Sequence, residues 1–271
     1  MRGVKNLKLY RRLVQLLVLI GLALLPWAKS LDLNLQGSFF ALQLGPISFA
    51  DPAAALGILA GEMWPEARIL LGALLTLLIA FFFGRIFCSW ICPYGFFSEI
   101  IHSFRAQKHE NNPHAFFRKL LLLIFSAVLT GFFGLPLLMY LSFPGELSLV
   151  PLLVWQNTYT IIGGIVALPT IFLIIEAWTG FRLWCRYFCP QSVLLGAAQA
   201  LLPSKFVGLR VRWMAQKCQC KGQAPCQKAC SLDLNPRALK RLNRLECTNC
   251  GDCVQACASK GQALSFKFKN N

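Results

Sequence analysis

The sequence predicts an all-α integral membrane protein of four transmembrane helices in two parallel repeats, followed by a small cysteine-rich α+β domain. Three observations carry this. The chain of 271 residues is 56% hydrophobic and 14% charged, with a mean hydropathy of +0.55, far too apolar for an ordinary soluble domain. An arginine followed three residues later by C-x3-C-P occurs twice, in "GRIFCSWICP" and "FRLWCRYFCP". Eight of the 12 cysteines crowd into the last quarter of the chain, where the apolar character collapses.

The four spans are expected at 12–28, 67–87, 119–142 and 159–181, each approaching the ~20 residues that cross a bilayer. Net charge is +16, and its placement argues against nucleic acid. Residues 1–12 hold Arg2, Lys5, Lys8, Arg11 and Arg12, and 13 of the 27 basic residues follow Leu202. Arg105, Lys108 and Arg118 mark the middle loop, whereas 29–66 and 143–158 carry mainly acidic residues. The positive-inside rule then places both termini and the middle loop in the cytoplasm. The first run, with its basic lead and "AKS", also has the form of a signal peptide. Its counterpart in the second half favours retention as a span.

Each half is read as one plain span, an outer connection, and a span ending in arginine and a cysteine pair. Cys88 and Cys92 recur as Cys185 and Cys189, 97 residues on, with Pro93 and Pro190 directly behind. Both pairs end on the same side, so the repeat is parallel. The membrane domain is expected over 1–203 and the cysteine-rich domain over 204–271. The latter is too short to build a hydrophobic core unaided.

In that domain "CTNCGDCVQAC" places Cys247, Cys250, Cys253 and Cys257 at C-x2-C-x2-C-x3-C. This is the bacterial ferredoxin run, in which three thiolates wrap one 4Fe-4S cluster and the fourth ligates a second. Upstream, "CQCKGQAPCQKAC" supplies Cys218, Cys220, Cys226 and Cys230. The expected sets are Cys230 with Cys247, Cys250 and Cys253, and Cys257 with Cys218, Cys220 and Cys226. Cys218 and Cys220 are irregularly spaced, which leaves a three-iron cluster open there. Disulfides are disfavoured by reducing cytoplasm, and structural zinc explains the tight run less well. There is no C-x-x-C-H for a c-type haem. His102, His109 and His114 all fall in the middle loop, read as a solvated face, so no pair faces across a membrane to hold haem b.

These motifs resemble the NapH-type membrane ferredoxin-like subunits, with MauN and the membrane part of NosR in the same style. The resemblance runs from the first span to the last cysteine run, although neither Cys230 nor Cys257 is followed by proline. It implies a quinol dehydrogenase membrane component with two 4Fe-4S clusters and quinol as substrate. It implies as partners the lipid and quinone pool, an iron–sulfur protein (NapG-like), and a reductase or multihaem cytochrome, as in periplasmic nitrate respiration. The alternative is a redox assembly or regulatory factor for maturation of a metalloenzyme.

Two further features invite chemistry. Glu176, in "LIIEAWTG", is an ionisable group inside a span and a candidate proton acceptor, with structural pairing to Arg85 or Arg182 as the competing reading. Trp90, Trp178 and Trp184 are candidates to stack a quinone ring, against interfacial anchoring. Cysteines four apart share a helical face. Cys88, Cys92, Cys185 and Cys189, brought together by the repeat, would therefore offer four sulfurs to an additional metal or cluster. The competing reading is a helix stop imposed by the prolines.

Overall fold

A computed structural model describes residues 6–28, 35–38, 41–44, 47–61, 64–103, 115–134, 137–200, 208–220, 225–239, 245–258 and 261–268. The architecture is mostly helical. The first half begins with α1 (Leu7–Ala28), followed by a small sheet, α2 (Pro52–Ala60), α3 (Ala67–Phe83), α4 (Ile86–Trp90) and α5 (Pro93–Ser103). The second half runs through α6 (Ala115–Phe133), α7 (Leu137–Tyr140), α8 (Phe143–Trp155), α9 (Tyr159–Thr179), a π-helical turn (Trp184–Phe188) and α10 (Pro190–Ala200).

The protein is a membrane protein by its surface. Helices α6 and α9, of 19 and 21 residues, are long and apolar enough to cross a bilayer, and α3 is a shorter apolar helix. Leu71, Leu74, Leu121, Phe125, Ile171 and Ile174 on these helices are exposed, the reverse of a water-facing helix. The run expected at 67–87 stops at Phe83, and that at 119–142 breaks into α6 and α7. Both α3 and α9 end at a glycine with positive φ: Gly84 at +68° and Gly180 at +76°, the latter left-handed. In each case the glycine N–H donates to the carbonyl four residues back, Ala80 or Glu176. A Cβ at such positions is strained, so glycine fixes where each of these helices ends.

Within the expected outer connection at 29–66, the described strands form a sheet whose last strand packs against α3. Strands β1 (Leu35–Ser38), β2 (Ala41–Leu44) and β3 (Ile47–Ala50) form an antiparallel meander, with Leu42 opposite Phe49. Gly72 of α3 admits β3, since a Cβ there would lie 3.0 Å from Ala50 N. The Thr76 hydroxyl then donates to Ala50 O at 3.0 Å. Asp51 caps α2, accepting from Ala53 N–H at 2.7 Å, with Pro52 at the first helical position. The connection at 143–158 is likewise mostly helical, as α8.

The C-terminal domain pairs β4 (Arg210–Trp213) with β5 (Leu264–Lys267), Val211 opposite Phe266, and carries the short helices α11 (Pro225–Lys228) and α12 (Asp252–Cys257). Its core is Val211, Val254, Ala263 and Leu264 packed with Cys226, Cys253 and Cys257. Cysteines thus occupy places that larger apolar side chains fill in an ordinary core.

Candidate iron–sulfur centres

Each cysteine pair sits where a helix is forced to stop. Proline has no N–H and disfavours the α conformation in the residue before it. Cys189 is accordingly extended, at φ −63° and ψ 112°. The chain restarts as a helix at Pro93 and Pro190, in α5 and α10. The last turn before each proline is widened in the same way. Cys92 N–H donates to Phe87 O at 3.0 Å and Cys189 N–H to Trp184 O at 2.9 Å, both five residues back. Such π-type turns recur at functional sites. Here they turn the second cysteine of each pair toward the other repeat.

The result is one pocket lined by Cys88, Cys92, Cys185 and Cys189, with Arg85 and Arg182 also on its wall. Gly95 allows this closure. A Cβ on it would lie 2.5 Å from Cys88 O, and its N–H donates to Cys92 Sγ at 3.4 Å. Among the described residues no three His, Cys, Asp or Glu side chains converge tightly enough to share one metal ion. Four thiols on a common pocket match the ligand count of a four-iron cluster, which spreads its sulfurs more widely than a zinc held at ~2.3 Å. Two guanidiniums on the wall offset the negative charge of such a thiolate-bound cluster.

In the C-terminal domain Cys230, Cys247, Cys250 and Cys253 line one pocket. Leu234 N–H donates to Cys230 Sγ at 3.3 Å. Gly251, at φ +86°, lets the chain curl between Cys250 and Cys253. Burial pushes the Cys230 thiol up to about 11 and the Cys250 thiol up to about 12, and raises Cys253 further. Thiols held neutral by burial become thiolates when iron binds, so loading this site releases protons. Cys218, Cys226 and Cys257 pack in the same core as Cys253. Arg237 lies against Cys218, Cys220 and Cys226. The fold thus brings Cys230, Cys247, Cys250 and Cys253 to one pocket and Cys218, Cys226 and Cys257 to one core, with Cys220 outside that core.

What the sequence does not reveal is how this domain is held. The Arg85 guanidinium donates to Leu245 O at 3.3 Å and Glu246 Oε2 at 3.1 Å. Lys119 Nζ donates to the same oxygen at 2.6 Å, and both cations are buried. Burial draws the Glu246 carboxyl up, but Arg85 and Lys119 hold it below the usual range. Arg182 donates to Ser231 Oγ at 2.8 Å, beside Cys230, and to Gly95 O at 2.8 Å. Arg11 of α1 donates to Cys250 O at 2.9 Å and pairs with Glu99 and Asp252. Helix α1 is thus built into the fold. Ser89, between the first cysteine pair, donates to Thr248 O at 2.8 Å.

The remaining sequence candidates fall as follows. Glu176 is fully buried, accepting from Tyr94 OH at 3.1 Å, Ser98 Oγ at 2.6 Å and Trp184 N–H at 2.9 Å. Arg182 donates to the same Ser98 hydroxyl at 3.1 Å. Trp184 is stacked on Phe143 at 3.6 Å, which occupies its face, and Trp178 is 81% exposed. His102 is not solvated as expected. It is buried on α5 with Nδ1 2.8 Å from Ser98 O. His109 and His114 lie outside the described residues.

Comparison with known proteins agrees with this geometry. A family profile described as "4Fe-4S binding domain" matches residues 67–111 and 161–209, the two segments that carry the cysteine pairs. The chain is 25% identical to the ferredoxin-type protein NapH of Haemophilus influenzae, over 97% of this chain and 90% of the relative. It is 27% identical to the methylamine utilization ferredoxin-type protein MauN of Methylobacillus flagellatus, over 82% and 75%. It is 25% identical to the putative electron transport protein YccM of Escherichia coli, over 93% and 74%. No solved structure matches. The chain is thus similar, over most of its length, to two proteins named as ferredoxin-type, NapH and MauN, and to one named as a putative electron transport protein.

Proposed function

We propose that this chain is a multi-pass membrane subunit that takes electrons from quinol and delivers them, by way of iron–sulfur clusters, to a respiratory reductase system. In this reading α1, α3, α6 and α9 are the four spans, both termini are cytoplasmic, and the domain boundary falls near residue 203. Cys230, Cys247, Cys250 and Cys253 hold one cluster of the C-terminal domain. Cys218, Cys220, Cys226 and Cys257 hold the other. Cys88, Cys92, Cys185 and Cys189 hold a third. Bound clusters supply one-electron steps, which split the two-electron oxidation of a quinol.

The observation that carries the reading is contiguity. The four-thiol pocket shares Leu232 and Thr248 with the pocket of Cys230, Cys247, Cys250 and Cys253. Cys253 in turn packs in one core with Cys226 and Cys257. The first donor set thus shares wall residues with the second, and the second shares a core with the third. The chain's own residues set its electrostatics. Arg85 and Arg182 flank the first set, and backbone N–H donors reach Cys92 and Cys230. Such donors and cations favour the reduced, more negative state of a cluster. Glu176 fixes the turn bearing Cys185 by accepting from Trp184 N–H, while its other bonds tie that turn to α5.

A redox factor for metalloenzyme maturation would draw on the same centres. The two readings separate on the electron donor. Adding reduced quinol to the iron-loaded protein in detergent, with EPR of the clusters, should show their reduction. Intact clusters that stay oxidised would turn the assignment toward maturation.

A further inference from the structure

Beside the four-thiol pocket lies a larger cavity, of about 240 Å³, that no motif of the sequence announces. Its walls come from three directions. Thr76, Ile79 and Ala80 of α3 form one side, and Ile86, Phe87 and Ile91 around α4 form a second. Phe49, Ala50 and Asp51 close it from the end of β3, with Gln191 and Leu195 of α10 opposite. Among the described lining residues Asp51 is the one charged side chain. It is buried, accepts from Ala53 N–H at 2.7 Å, and is also hydrogen-bonded by the Ser142 hydroxyl. Gln191 Oε1 accepts from the same Ala53 N–H at 3.3 Å, which sets the amide next to the carboxylate.

Two features say what kind of molecule this cavity takes. Its rim reaches the lipid-facing surface, because Ile79 is 39% exposed and continues an exposed apolar strip through Leu78, Phe82 and Phe83. Its inner wall is shared with the thiols, since Phe87 and Gln191 line both this cavity and the pocket of Cys88, Cys92, Cys185 and Cys189. A guest must therefore arrive from the membrane, be largely apolar, carry a hydrogen-bonding group for Asp51, and exchange something with a thiol-held centre. The volume is below the ~300–1,000 Å³ of drug-sized sites, enough for one ring system with its chain left outside.

We propose that this cavity binds the ring of a lipid-soluble hydroquinone, with Asp51 as the proton acceptor and Gln191 as an orienting hydrogen-bonding group. The inference rests on the quinol reading above and assigns it a site. The step balances. The hydroquinone loses two electrons and two hydroxyl protons to become the quinone. The electrons go singly to the iron–sulfur centres held by the cysteines, the first of them across the Phe87 wall. One proton goes to the Asp51 carboxylate, which returns it to water before accepting the second. This places the proton-accepting role expected of Glu176 on a buried acid among the residues that line the cavity.

The test uses the iron-loaded full-length protein in detergent and a naphthoquinone bearing one isoprene unit as the probe. Binding of the oxidised probe is measured by calorimetry, and cluster reduction by its quinol form by EPR. Ala80→Phe, which fills the cavity, and Ile79→Trp, which blocks the rim from its lipid side, should each weaken binding at least tenfold. Both should keep full iron content and full reduction by dithionite. Asp51→Asn should bind the probe within a fewfold of wild type while quinol-driven reduction slows at least tenfold. If both filling variants bind and are reduced as wild type, the quinol reading survives and this site is wrong. If the Asn variant is reduced at the wild-type rate, the role of Asp51 falls. Should wild-type clusters remain oxidised with quinol yet respond to dithionite, the quinol reading fails and takes this proposal with it.

Discussion

Glu246 is the anchor of the C-terminal domain, and its removal has a calculable consequence. One carboxylate oxygen receives both Arg85, at 3.1 Å, and Lys119, at 2.6 Å, and the two cations are 1% and 0% exposed. Glu246→Gln keeps the shape and a carbonyl acceptor but leaves two buried cations without their counter-charge. Breaking a buried pair from one side costs roughly 3–5 kcal/mol. With two cations facing one acid, the upper part of that range is expected, relieved only as far as Lys119 gives up its proton. At about 2–4 °C per kcal/mol for chains of this size, a loss of about 4–5 kcal/mol should lower the transition by about 8–20 °C. The assay is thermal unfolding followed through the visible absorption of the clusters. Adding Lys119→Met to Glu246→Gln should recover part of the loss, because one orphaned charge is then gone. If Glu246→Gln melts within about 1 °C of wild type, the triad does not hold the domain, and the docking account fails.

Two further outcomes follow from the same geometry. Gly95→Ala places a Cβ 2.5 Å from Cys88 O, so α5 must move away from the first cysteine pair. The strain should cost roughly 1–3 kcal/mol, and bound iron should fall from about twelve to about eight per chain. Iron analysis checks this, and twelve irons retained would mean that Gly95 does not shape the four-thiol site. Removing iron with a chelator should make residues 208–268 sensitive to protease while the membrane helices persist, because cysteines fill that small core. A tail that stays resistant without iron would refute the view that ligation holds it together.

Much of the site was legible because thiolate spacing is a local property. The run at 247–257 and the repeat of Cys88–Cys92 as Cys185–Cys189 are written in consecutive residues, and so is the helix stop at each proline. The contacts that organise the site are not local. Arg11 reads in sequence as part of a basic flank, the ordinary signal of a cytoplasmic face, and Arg85 as part of the repeated motif, while nothing marks Lys119 as a partner of the C-terminal domain. In the fold their charged ends are buried against residues 99 to 252. Glu176 read as a lone acid within a span, because nothing local discloses that Tyr94 and Ser98 come to it from the other repeat. His102 reads as solvated because it falls, with His109 and His114, in the stretch expected as the middle loop, whereas α5 turns it inward. The cavity was invisible for the same reason. The strand that carries Asp51 to α3 lies in a stretch whose charges mark it only as an outer connection, and Gly72 and Thr76 admit it there.

The central claim is that electrons enter the C-terminal domain by way of the four-thiol pocket. It is tested most directly in the variant with Cys88, Cys92, Cys185 and Cys189 all replaced by serine. Cluster reduction by quinol and by dithionite is followed by EPR, alongside iron and sulfide content. The account predicts loss of one cluster, with the remaining clusters reducible by dithionite and no longer by quinol. Unchanged iron content together with quinol reduction at the wild-type rate would contradict it.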